Sequence, residues 1–65
     1  MSLRESQVTR LVAARRTVGE ELRHGTPVSL ARAMAVLRAA ERVATDEEIA
    51  AAIKQRRAEL WGVAW

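Results

Sequence analysis

Residues 45–49, "TDEEI", decide how many helices this chain contains. Thr45 with Glu48 three positions on is a capping box, in which each side chain answers the other residue's backbone N–H. Asp46, Glu47 and Glu48 then place negative charge on the positive end of a helix dipole. A helix therefore starts at Asp46, and the apolar segment before Thr45 belongs to a different one. Without this signal, the run from Pro27 onward would read as one long arm of a hairpin.

Working backward, "RHGTPVS" at 23–29 holds the single proline. Gly25 suits the left-handed position that ends a helix, Thr26 the next N-cap, and Pro27 the first helical position. Upstream of this break, Val8, Leu11, Val12, Val18 and Leu22 recur at a helical period. The spacing predicts helices over about 6–23, 27–43 and 46–61, with Gly62 as a fraying point. No stretch alternates as a strand does. The fold class is all-α, within one domain over 1–65: a small three-helix bundle, or a helical hairpin plus a third helix.

The second helix carries the widest apolar arc, through Leu30, Ala33, Met34, Val36, Leu37, Ala40, Val43 and Ala44. One neighbour cannot cover half a circumference. The simplest arrangement puts this helix between the other two, with Met34 filling the core. A chain of 65 residues buries only about 60% of its unfolded surface. With no cysteine for a disulfide, completion by a second copy or a partner protein is expected.

Composition narrows the function. One histidine, His24, and scattered carboxylates make no metal ligand set. There is no nucleophile beside a base, no paired carboxylates in a pocket, and no glycine-rich phosphate loop. No catalytic residue, cofactor or small-molecule substrate is expected, and His24 reads as a cation answering the end of the first helix dipole. No run is apolar enough for a secretion signal or membrane span, so a cytoplasmic protein is expected. Ten arginines against one lysine suggest phosphate binding, but eight carboxylates lie among them and no single-sign block forms. In a helix-turn-helix reading of the second and third helices, Asp46, Glu47 and Glu48 would lead toward phosphate and repel it.

Two groups of residues stand out as partner-binding candidates. Arg15 and Arg56 lie within the apolar stripes of their helices, where an arginine must pair, snorkel or meet a partner. Glu41 is the acid on the second helix placed to answer Arg15, one turn away, while Arg56 lies about two turns from it. At least one of the two is therefore expected to lack a partner within the chain. The second group is the end of the chain, "KQRRAELWGVAW" over 54–65, which holds both tryptophans and no other aromatic. Trp61 and Trp65 share one helix face off the Ile49, Ile53, Leu60 and Val63 stripe, and Arg57 precedes Trp61 by one turn, suited to a cation–π contact. Trp and Arg are the residues that dominate interface energetics. The expected function is a non-enzymatic protein–protein interaction module, such as a regulator, assembly factor or small subunit of a bacterial or phage complex. The alternative is a small basic protein contacting a nucleic-acid backbone through Arg4, Arg10, Arg16 and Arg23.

Overall fold

The computed structural model describes residues 3–62 of the chain. It contains three helices, α1 (Leu3–His24), α2 (Pro27–Arg42) and α3 (Asp46–Trp61). The described residues contain no strand. All three boundaries fall where the breaking and capping residues put them, except that α1 begins before Ser6.

Both N-caps are closed boxes. At α3, the Thr45 backbone N–H donates to Glu48 Oε1 (2.7 Å) and the Glu48 N–H donates to Thr45 Oγ1 (3.2 Å). Glu48 is also buried. Its carboxylate takes both hydrogens of the Gln7 amide, 2.8 Å to each oxygen in the orientation that satisfies both ends of that amide. The cap thus does two jobs: it starts α3 and pins that start to the first half of α1. At α2, Ser29 replaces the usual acid, with Thr26 N–H donating to Ser29 Oγ (2.9 Å) and Ser29 N–H to Thr26 Oγ1 (3.1 Å).

Two local expectations are corrected. Gly25 does not adopt the left-handed conformation; among the described residues only Gly62 does, at φ 65°. Gly25 instead closes α1 through its N–H to the Glu21 carbonyl at 2.9 Å. Gly62 is a true cap, closing α3 through its N–H to the Ala58 carbonyl at 2.8 Å.

The order of packing also differs from expectation. The central helix is α1, which packs on both α2 and α3, while α2 and α3 scarcely meet. Leu11 and Val12, 1% and 2% exposed, explain this. Adjacent helical residues point about 100° apart, so the pair buries one side chain toward each neighbour. Ala52 of α3 completes the core, with Val8, Leu37, Ala40, Ala44 and Ile49 packed around it. Leu11 is the one large side chain buried completely among the described residues. The wide arc of α2 is consequently half uncovered: Met34 is 43% exposed rather than in the core, and Val36 and Val43 are 57% and 64% exposed.

Candidate interaction surfaces

The α1–α2 hairpin has two faces, and α3 lies across one of them. On that face the arginines within the apolar stripes find acids. Arg15 Nη2 donates to Glu41 Oε2 at 3.2 Å, as helical counting places it. Arg15 Nε is buried with no acceptor, so this guanidinium is held by one bond. Arg56, expected to be without a partner, has one: its Nη1 donates to Glu59 Oε1 at 3.1 Å. Glu59 accepts from Arg16 as well, at 2.6 Å, and so joins α1 to α3. The hydrogen bond from Arg16, reinforced by the charges of Arg16 and Arg56, holds the Glu59 carboxyl below the ordinary carboxylate range. Counting on α2 alone missed Glu59, although its position three residues after Arg56 is an ordinary i,i+3 pairing.

A second surface lies on the outer side of α3. Trp61 is 61% exposed, and the Arg57 guanidinium sits 6.0 Å from its ring centroid. Ala50, Ile53 and Lys54 continue the same strip, forming a shallow recess beside the ring. Trp65 and Val63 lie outside the described residues. Among those described, Lys54 and Arg57 have no carboxylate partner.

The third surface, not anticipated from the sequence, is the face of the α1–α2 hairpin opposite α3. It is an open groove floored by Ala13, Ala14, Ala33, Ala39 and Ala40. Val36 and Val43 rise on the α2 side, and Arg10, Glu21 and Arg32 stand at the rim. Sequence reasoning passed over it because α2 was placed at the centre, with both of its sides covered.

The arginines that suggested backbone phosphate contacts do not form one stripe. The side chain of Arg4 lies outside the described set. Arg16 is engaged by Glu59. Arg10 and Arg23 are exposed, but thirteen positions at about 100° each put them on opposite sides of α1. His24 is exposed in the last turn of α1, beside Arg23. Among the described residues, no three of His, Asp and Glu gather as a metal site would need. No described helix is long and apolar enough to cross a membrane. Comparison with protein-family models, with curated proteins and with solved structures gives no match to this chain.

Proposed function

We propose that this chain is a non-enzymatic interaction module that docks the outer face of α3 onto a partner protein, with Trp61 as the anchor. The observation that carries this reading is the exposed Trp61 ring with Arg57 beside it at 6.0 Å. A large ring with more than half its surface exposed favours a covering partner, and Trp and Arg are the residues whose truncation most weakens interfaces. The strip's cations, Lys54 and Arg57, have no carboxylate partner among the described residues. The complementary surface is therefore an apolar pocket rimmed by Asp or Glu. A regulator, assembly factor or small subunit acting in the bacterial or phage-infected cytoplasm fits this chemistry. The Arg15 and Arg56 heads are occupied within the chain and are not needed for the anchor.

The test compares wild type with Trp61→Ala and Arg57→Glu in capture from the native cell, with circular dichroism confirming that each variant stays helical. The reading expects one partner, retained by wild type and lost with both variants, whose addition to purified Trp65→Phe protein shifts Trp61 emission to the blue. Capture of the same partners by all three proteins would overturn it. A titration with mixed-sequence DNA at two salt concentrations addresses the alternative: affinity that falls steeply with salt would point to phosphate binding instead.

A further inference from the structure

We infer that the open groove of the α1–α2 hairpin is covered by the same groove of a second copy, making a two-fold four-helix core with α3 outside it. This goes beyond the α3 anchor and uses a different surface.

The groove has the symmetry such a pairing needs. On α1 it is lined by Ala13 together with Arg10, Ala14, Thr17 and Glu21, the last four spaced four, three and four. On α2 Ser29, Ala33, Val36, Ala39 and Val43 are spaced four, three, three and four, with Arg32 and Ala40 placed equally to either side of Val36. Ala13 apart, each set reads the same from either end, the first about the midpoint between 15 and 16, the second about Val36. These two midpoints stand level with each other. The helices reverse at Gly25–Thr26, and Glu21 still reaches Ser29 across the turn at 2.5 Å. Residues whose numbers sum to about 51 therefore face one another. A single two-fold axis crossing both helices at right angles can then lay α1 antiparallel on its mate and α2 antiparallel on its mate.

Chemistry follows the same register. Under this operation Arg10 meets Glu21 of the second copy, and the reciprocal pair forms at the other end. Neither residue has an ion-pair partner among the described residues of its own chain; Glu21 accepts only the Ser29 hydroxyl there. Arg32 stands at the same end as Glu21, so the carboxylate lies between its own Arg32 and the mate's Arg10. Inside that charged rim, Val36 meets Val36, Ala33 meets Ala39, and Ala14 meets Thr17. Side chains this small let helix axes approach to the short end of the ~8–10 Å range. A partner with bulky knobs would not seat as well.

Sedimentation velocity over a wide concentration range, on the full chain, tests this with a charge-reversal cycle. Wild type should show a concentration-dependent dimer. Arg10→Glu and Glu21→Arg each set like charges against each other at both ends, and each should weaken dimerisation on the order of tenfold. The double variant, Arg10→Glu with Glu21→Arg, should recover most of that loss. Trp61→Ala should leave the dimer unchanged, which keeps this inference separable from the α3 anchor. A wild-type chain that stays monomeric at every concentration would overturn the inference. So would a dimer indifferent to both reversals, or one in which the double variant is no better than the singles.

Discussion

The two faces of the α1–α2 hairpin share a backbone and differ in side-chain size. Toward α3, Leu11 and Val12 meet Ala52 with Leu37 and Ile49 packed around them, and the heads of Arg15 and Arg56 close on Glu41 and Glu59. Away from α3, the groove floor is mostly alanine, and Arg10, Arg32 and Glu21 at its rim form no ion pair among the described residues. Apolar content alone does not separate the faces. The covered one has bulk and a cation–carboxylate lattice that a single crossing helix satisfies. The open one has a shallow alanine floor that no described segment of the chain covers. A small domain that buries one large side chain completely is marginal by construction, and a second covered face would add what the first cannot.

Mutations on the two faces should therefore separate sharply. The largest effect belongs to the buried centre. Leu11→Ala should cost about 2–5 kcal/mol, enough to leave so small a chain largely unfolded, and loss of a cooperative denaturant transition would show it. An effect below 1 kcal/mol would mean the core is not organised around α1.

Next in size are the caps. Thr45→Ala should cost about 1 kcal/mol, read as a shift in denaturant midpoint. Thr26→Ala should cost less, because the box it disrupts is exposed, whereas Glu48 is buried and also holds Gln7. Equal losses at the two sites would remove the proposed link between the start of α3 and α1.

A smaller, pH-dependent effect belongs to the lattice on the covered face. The Glu59 carboxyl is held below its ordinary value by Arg16 and Arg56. A carboxylate depressed in the folded state contributes stability that is complete above its unfolded pKa, about 4.3. That contribution disappears as pH falls through the lower folded value. Glu59→Gln should flatten this part of the acid limb while changing little at neutral pH beyond the pairs themselves. An acid limb identical to wild type would show that the lattice is not formed in solution.

The smallest effect on the isolated fold should come from Val36→Ala. In a dilute, monomeric sample this exposed position should change stability by no more than ~0.5 kcal/mol. At concentrations where the chain associates, the same variant should lose measurably more. A constant difference at both concentrations would leave the open face with no distinct role.

The helix count, both caps and the Arg15–Glu41 pair were legible in the sequence because each depends on neighbours a few positions away or on simple counting from a turn. The Arg57–Trp61 contact was legible for the same reason. The order of packing was not. Width of the α2 arc suggested a central helix, yet what decides centrality is how much bulk can be buried toward two neighbours at once. Leu11 and Val12 supply that, and the alanines of α2 do not. Reading Gly25 as a left-handed cap failed because a helix-terminal N–H can close on the carbonyl four residues back without a positive φ, as Gly25 does on Glu21. The groove stayed hidden because it exists only once α1, not α2, is in the middle.

The most direct test of the claim that the open face pairs with itself is cysteine cross-linking at its centre. The chain has no cysteine, so Val36→Cys introduces one thiol per copy at the position the two-fold axis brings against its own mate. A disulfide there needs Cα atoms about 4.4–6.8 Å apart, a separation that helices packed through alanine readily reach. Under mild oxidation the account predicts rapid, nearly complete covalent dimer for Val36→Cys, with native helicity retained. The comparable exposed site on α2, Val28→Cys, should link only at the slow rate of random collision. Equal slow rates at the two sites would contradict it.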